Sequence, residues 1–171
     1  VTATDNALLA AVLAKGTTII NNAASEPHVQ NLCEMLIAMG AIIDGVGSNR
    51  LTIQGVEKLH GCETTVGADY IESVSWVAAS VLTGGRIRVT QADPHVLGMV
   101  ELVFARLGVS WTVEGNDLLV PSSHRLTIEP DLGGRIPVIK AQPWPAFPAD
   151  LMSIALVIAT QSKGAVMFHD W

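Results

Sequence analysis

The carboxylate of Asp150 stands at a change of local pattern, between a proline-rich segment and an apolar run. The segment before it, here called the proline arm, comprises residues 142–148 (QPWPAFP) and carries three prolines. Because proline fixes φ and lacks an N–H donor, the proline arm is predicted to be extended. Residues 151–159 have the length and composition of a helix, which places Asp150 at or just before its first turn.

A carboxylate at a helix start also has a purely structural explanation. The first N–H groups of a helix lack partners within the helix, and the helix dipole favours a negative charge beside them. Asp150 is therefore either a capping acid or a group of a functional site, and the pattern alone leaves both open. Glu26 and Asp93, each directly before a proline, are predicted to cap helices, and Asp69 is predicted to cap the helix that follows it.

The other chemically capable residues lie outside any recognisable motif. Cys33 falls on the inward face of a predicted helix and Cys62 follows a turn; two isolated cysteines indicate neither a disulfide framework nor a metal site. Arg135 and Lys140 could approach a phosphate, but a solvated surface position is the simpler explanation. No cofactor is indicated. The histidines that recur before apolar helix positions are predicted to be exposed: His28 and His95.

Composition indicates a folded protein of one or two small domains. The chain has 171 residues, of which 49% are hydrophobic and 15% charged. A formal net charge of −6 argues against a nucleic acid or an anionic membrane as a partner. No apolar run reaches the roughly 18 residues that a membrane span requires. The first residues do not have the pattern of a secretory leader. The expected location is therefore the cytoplasm.

The order of predicted elements recurs along the chain. Each of two stretches predicts a helix, a strand, a second helix that opens at a proline, and two strands joined by a glycine-containing turn. Pro94 lies 67 positions after Pro27, and this offset superposes apolar residues, which indicates a duplicated unit. The superposed pairs are Leu32 with Met99, Cys33 with Val100, Leu36 with Val103, and Leu51 with Leu118. In the helix after Pro94, the residues predicted to face inward are Val96, Met99, Val100 and Val103.

A third unit begins near Leu126, and Asp150 opens its first helix. The chain stops at Trp171, just after a predicted strand at residues 165–169, and it begins abruptly at Val1. Two units and part of a third suggest a piece of a longer polypeptide.

Several stretches resemble the enolpyruvyl transferase family. They are PAFPAD at residues 145–150, TDNALLAA at 4–11 with KGTTIINNAA at 15–24, EP at 26–27 with AMGA at 38–41, and KG at 163–164. The resemblance implies an α+β fold of βαβαββ repeats, an inside-out α/β barrel with helices inside and sheets outside, of which about two and a half units are present. It assigns residues 1–62 to the last unit of the first domain and residues 63–171 to the first one and a half units of the second.

The resemblance also implies an activity and a role for Asp150. Enzymes of this family transfer enolpyruvyl from phosphoenolpyruvate, here to the 3-hydroxyl of UDP-N-acetylglucosamine. This reaction belongs to cytoplasmic peptidoglycan synthesis, and thus to cell wall biogenesis, cell shape, the cell cycle and cell division. Asp150 matches the aspartate that binds the sugar and is proposed to take the proton from the attacking hydroxyl, a task that requires a carboxylate within hydrogen-bond reach. The implied partners are the two substrates and the remainder of the polypeptide.

Two departures from the family pattern keep alternatives open. Ala149 replaces a threonine that is often found before the aspartate, and Trp144 stands where a histidine is frequent. A diverged paralogue, the shikimate-pathway enolpyruvyl transferase and a non-catalytic module of the same repeats are the alternatives. The family's reactive cysteine and the basic residues that hold its donor match nothing in this chain, so residues 1–171 alone are expected to be inactive.

Overall fold

A computed structural model describes residues 1–170, which form two compact units. The first unit comprises residues 1–67, and the second begins at Ala68. The predicted change of domain at residues 62–63 concerns the two domains of the family and stays a prediction. As compact units, the two parts of the chain divide after Gly67.

The first unit packs two helices against a three-stranded antiparallel sheet. The last of the three strands in chain order lies in the centre and pairs with both of the others. Buried residues from both helices and from the sheet form one core, which includes Leu8, Val29, Leu36, Leu51 and Ile53. The elements are α1 (Thr2–Ala11), β1 (Thr17–Asn21), α2 (Pro27–Ala38), β2 (Ile42–Asp44) and β3 (Arg50–Gln54).

The second unit begins with the same arrangement. Its first sheet again has three antiparallel strands with the last of them in the centre, so the predicted duplication is confirmed. The elements are α3 (Tyr70–Thr83), β4 (Ile87–Val89), α4 (Gly98–Arg106), β5 (Thr112–Glu114) and β6 (Asp117–Val120). The predicted inward face of α3 is also confirmed, because its apolar members are buried: Val74, Val77, Ala78 and Val81.

The predicted inward face of α4 is partly wrong. Met99 is 38% exposed, whereas Phe104 is fully buried, although it is not among the residues that the 67-residue offset predicts to face inward. The reason lies at the helix start: a 3-10 turn at Pro94–Val96 comes first, and α4 begins only at Gly98. Helix α4 therefore turns a different side to the core of its own unit than the 67-residue offset predicts. Of the four residues predicted to face inward, Val100 is buried and the two remaining valines, Val96 and Val103, are partly buried against the core.

The third repeat is represented by a strand–helix–strand segment. Strands β7 (Val138–Lys140) and β8 (Met167–His169) pair in parallel, and α5 (Met152–Gln161) connects them. A parallel pair requires such a crossover, since the chain must return to the same end of the sheet. Helix α3 packs against both β4 and α5, which joins the second and third repeats into one core.

The fold is mixed helix and sheet, as the predicted α+β class requires. The longest helix among residues 1–170 is α3, with 14 residues, and no described helix has the length and apolarity to cross a bilayer.

Candidate active site

The proline arm forms a compact loop between β7 and α5. The amide N–H of Gln142 donates a hydrogen bond to the carbonyl of Phe147 at 2.9 Å, which closes the loop. Within it, the N–H of Ala146 donates to the carbonyl of Pro143 at 3.1 Å. The backbone before Asp150 is non-helical, as predicted, but the predicted extended conformation is wrong, because residues 142–147 fold back into a loop whose ends are joined.

Buried side chains anchor the proline arm on both sides of the acid. Phe147 is buried, and Leu151, directly after Asp150, is fully buried in the core of the second unit. Trp144 is partly buried and packs on Tyr70, with ring centroids 5.3 Å apart and ring planes at 45°. The backbone around Asp150 is thus held by apolar contacts on each side.

Asp150 itself lies in a 3-10 turn, Ala149–Leu151, that leads into α5. Its side chain is exposed, and no side chain caps either this turn or α5. The predicted position at a helix start is confirmed, because Asp150 lies in the first turn. No side-chain hydrogen bond caps this turn or α5, and the favourable interaction of the Asp150 charge with the helix dipole stays a prediction. A carboxylate held at the surface without a capping task is free to accept a hydrogen bond or a proton from another molecule.

The surrounding topology favours a functional site at this point. The proline arm leaves the carboxyl end of β7, and the N–H of Ala141 donates to the carbonyl of His169 at the same end of β8, at 3.0 Å. In α/β sheets, ligands bind outside the carboxyl ends of parallel strands, in the loops that lead into the following helices. Asp150 lies in such a loop.

A surface pocket of about 450 Å³ lies elsewhere in the second unit, between the start of α3 and β4. Asp69 lines it and caps α3 as predicted, because Oδ1 accepts from the N–H groups of Ile71 at 2.9 Å and Glu72 at 3.1 Å. The indole Nε1 of Trp76 donates weakly to Glu72, at 3.4 Å. The carboxylates of Asp69 and Glu72 therefore already accept hydrogen bonds from groups of the same helix.

The two basic residues near the Gly-Gly turn lie at the surface, as predicted. Arg135 and Lys140 are both exposed. Lys140 lines a groove of about 330 Å³ together with Arg106 and Phe147, and Arg106 forms an ion pair with Asp131 at 3.0 Å. The structure brings Lys140, but not Arg135, to this groove beside the proline arm.

The predicted capping by Glu26 and Asp93 is wrong. Neither side chain makes a capping hydrogen bond. Asp93 adopts a left-handed backbone conformation, with φ of 48°, ahead of a 3-10 turn, so its carboxylate does not reach an α-helical N–H. The repeated histidines, His28 and His95, are exposed, as predicted.

The cysteines behave as a core residue and a surface residue. Cys33 is buried, as predicted, and burial, assisted by the carboxylates of Asp5 and Glu34, raises the pKa of its thiol to about 11. Cys62 is exposed. A thiol with so high a pKa is unsuited to nucleophilic chemistry near neutral pH. Among residues 1–170, no three His, Cys, Asp or Glu side chains are grouped so that they could hold a metal ion.

The residue that local sequence patterns do not reveal is Tyr70. Tyr70 is buried in the first turn of α3, and its ring contacts Trp144, which is far away in the sequence. The one available signal is that an aromatic residue lies near each of two acids at predicted helix starts: Tyr70 directly follows Asp69, and Trp144 precedes Asp150.

Comparisons with known proteins identify relatives over almost the whole chain. The family described as EPSP synthase (3-phosphoshikimate 1-carboxyvinyltransferase) matches residues 1–168. A UDP-N-acetylglucosamine 1-carboxyvinyltransferase from Treponema denticola is 52% identical over 170 residues, which are 99% of this chain and 40% of that protein. The enzyme of the same name from Bradyrhizobium diazoefficiens is 46% identical over 99% of this chain and 39% of its own length. The chain thus spans less than half the length of these relatives.

Solved structures show the same fold. The enolpyruvyl transferase NikO from Streptomyces tendae superposes with a TM-score of 0.81 and 22% identity, covering 99% of this chain and 39% of that one. EPSP synthase from Acinetobacter baumannii superposes with a TM-score of 0.58 and 17% identity, over 94% of this chain and 36% of its own. At such low identity, these likenesses establish the fold alone.

Proposed function

This chain belongs to the EPSP synthase family, and from that premise we propose that it is part of a longer enzyme that transfers enolpyruvyl from phosphoenolpyruvate to the 3-hydroxyl of UDP-N-acetylglucosamine. The relatives of about 50% identity that bear the name of this activity support the acceptor. In this role the polypeptide serves cytoplasmic peptidoglycan synthesis, and through it cell shape and division. The activity belongs to the full-length polypeptide.

The observation that carries the proposal is the presentation of Asp150. Its carboxylate is exposed, makes no capping hydrogen bond, and lies in the loop that follows the carboxyl end of β7. In the proposed reaction, Asp150 accepts the proton of the acceptor hydroxyl while that oxygen forms a bond to C2 of phosphoenolpyruvate, and the C2=C3 double bond is consumed as C3 takes up a proton from water. C3 then returns a proton to water as the bond between C2 and the phosphate oxygen breaks, which releases phosphate and restores the double bond as an enol ether. A positioned general base contributes typically 10²–10⁴-fold to such a step.

The finer architecture is also part of the proposal. The two repeats of equal sheet order and the strand–helix–strand segment fit three-unit domains in which the helices face inward and the sheets outward. Residues 1–62 then complete the first domain, and residues 63–171 open the second. Exposed apolar residues on α5, Leu156 and Val157, support an inward-facing helix that further units would cover.

One specific observation favours a second acceptor. The family description names 3-phosphoshikimate, and EPSP synthase shares the fold. Both acceptors present a hydroxyl to the same donor, so the exposed carboxylate of Asp150 serves either reaction. An assay with each acceptor separates the two, because the proposal requires turnover with the sugar nucleotide.

The decisive experiment is Asp150→Asn in the full-length polypeptide. Asparagine keeps the shape of the side chain but cannot accept the proton, so turnover with saturating substrates should fall by about 10²–10⁴-fold. Phosphate release is the measurement, and circular dichroism verifies the fold.

The matched control is Glu129→Gln, which removes one charge from an exposed position of the same unit and should leave turnover unchanged. Near-normal phosphate release by Asp150→Asn would remove Asp150 from the mechanism. A wild-type polypeptide that releases no phosphate with UDP-N-acetylglucosamine would overturn the proposed function itself.

A further inference from the structure

The contact between Tyr70 and Trp144 joins two parts of the second unit that are distant in sequence. Tyr70 is the first residue of α3 and is 3% exposed, while Trp144 is a member of the proline arm. Their ring centroids lie 5.3 Å apart with the planes tilted by 45°. Aromatic pairs at this separation attract each other beyond the burial of their area, and tilted or offset arrangements are preferred over face-to-face stacking.

Tyr70 is mounted on a rigid element. Asp69 caps the first turn of α3 through the N–H groups of Ile71 and Glu72. The turns that follow are held by buried residues, including Val74 and Val77. Because both the start and the inner face of α3 are held, the ring of Tyr70 has a defined position against which the proline arm can pack.

The same helix also packs directly behind the acid. Helix α3 contacts the 3-10 turn Ala149–Leu151 and α5. Asp150 is exposed and makes no capping hydrogen bond, so its own side chain does not fix its place. The backbone position of Asp150 is set instead by the packing of nearby side chains: the partly buried Trp144 and the buried Phe147 before it, and the buried Leu151 after it.

We propose that Tyr70 and Trp144 are a positioning pair, which holds the proline arm so that the Asp150 carboxylate meets the acceptor hydroxyl. This inference rests on the proposed function and assigns a role to two residues that do not touch the reacting atoms. It also explains how this chain accommodates tryptophan at position 144: the indole ring has an aromatic partner on α3.

The positioning pair should affect the reaction of the acceptor, UDP-N-acetylglucosamine, and not the binding of phosphoenolpyruvate. A displacement of about 1 Å in a reacting group can cost on the order of 10²-fold in rate. Because Asp150 faces the acceptor in the proposed reaction, loss of the ring contact should lower kcat and raise the KM for UDP-N-acetylglucosamine. The KM for phosphoenolpyruvate should stay at its wild-type value. A merely structural role would not divide the two KM values in this way.

The variants are made in the full-length polypeptide. Trp144→Leu and Tyr70→Leu each remove one ring from the contact while keeping apolar bulk, and each should lower kcat/KM for the acceptor by about 10–10²-fold. Trp144→Phe keeps an aromatic ring and should recover most of the loss. The double variant should be little worse than either single variant, because residues that act through one contact are not additive.

The chain offers a matched control in the same core. Trp111 packs edge-to-face on Phe104 with ring centroids 6.1 Å apart, and neither residue belongs to the proline arm or to the turn with Asp150. Trp111→Leu should therefore lower thermal stability as much as Trp144→Leu or more, while kcat and both KM values stay at their wild-type values.

The outcomes separate this inference from the proposed function. If the wild-type polypeptide is active and both Trp144→Leu and Tyr70→Leu keep the acceptor kcat/KM of Trp111→Leu, the positioning pair is overturned and the proposed function stands. Additive losses in the double variant, or equal increases in both KM values, also overturn it. A wild-type polypeptide without transferase activity overturns the proposed function instead. Should one leucine variant not fold, the other breaks the same contact and decides.

Discussion

The first repeat, from α1 to β3, and the second repeat, from α3 to β6, share a sheet order but begin their helices differently. In both, the last strand pairs between the other two. Helix α2 starts directly at Pro27, whereas a 3-10 turn precedes α4. Asp69 caps α3, while no side chain caps α1. The comparison teaches that a change at a helix start leaves the strand pairing intact but alters which side of the helix faces the core.

The largest expected effect tests the rotation of α4. Phe104 is fully buried, and its neighbour Val103 is only partly buried. Phe104→Ala should lower the free energy of unfolding by about 3–5 kcal/mol, through lost burial and a cavity. Val103→Ala, the matched control, should cost about 1 kcal/mol because less apolar area leaves the core. Urea titration measures both; equal losses would mean that α4 has the rotation that the 67-residue offset predicts.

The next effect tests the difference in capping between the repeats. Asp69→Ala removes the acceptor of two N–H groups at the start of α3 and should cost about 1 kcal/mol of stability. Glu26→Ala, at the start of α2, should stay within about 0.5 kcal/mol, because Glu26 makes no capping hydrogen bond. Thermal unfolding of both variants is the measurement. A larger loss for Glu26→Ala would restore the repeated capping acid that the sequence predicts.

The smallest effect concerns charge in the two sheets. In the second repeat, Arg88 bonds Glu114 at 2.6 Å and Asp117 at 2.9 Å. The N–H of Gln91, and then Arg88, lower the pKa of Asp117 below its usual 3.8. Asp117 therefore contributes stability that is present above pH 3.8 and is lost as the pH falls through its lowered pKa. The contribution is small because Arg88 and Glu114 are exposed and Asp117 is partly exposed, so solvent screens their charges.

Asp117→Asn should flatten the loss of stability in acid, measured by urea titration between neutral pH and about pH 3. The control lies in the first sheet, where the hydroxyl of Thr17 donates to the uncharged Gln54 side chain at 2.6 Å. Thr17→Val removes a bond between groups that do not titrate, so its effect should be the same at every pH. An acid profile of Asp117→Asn that matches the wild type would contradict the assignment.

Most of the element order is predictable from the sequence, because it depends on neighbours in the chain. Apolar spacing indicates α3 and its buried face, and glycines mark the ends of helices, as at Gly84, which adopts φ of 68°. The duplication is visible because the same core positions recur. Asp150 is placed at a helix start by the prolines before it and the apolar run after it, and the family resemblance rests on the same residues.

Other features depend on the local backbone geometry that each helix start adopts in the folded protein, which the apolar pattern does not specify. Whether an acid caps a helix is decided by backbone angles within one turn, so Asp69 caps and Asp93, with its left-handed backbone, does not. The 3-10 turn that rotates α4 changes which apolar residues face inward, although the apolar pattern itself is unchanged.

By itself, the sequence determined the repeat, the α+β class and the position of Asp150 between the proline arm and an apolar helix. Only the tertiary structure decided that the Asp150 carboxylate is exposed and caps nothing, and that Tyr70 packs on Trp144. The physical reason is the range of the forces involved. Periodicity, turns and proline geometry act between neighbouring residues, whereas ring contacts and exposure arise when separate elements share one core.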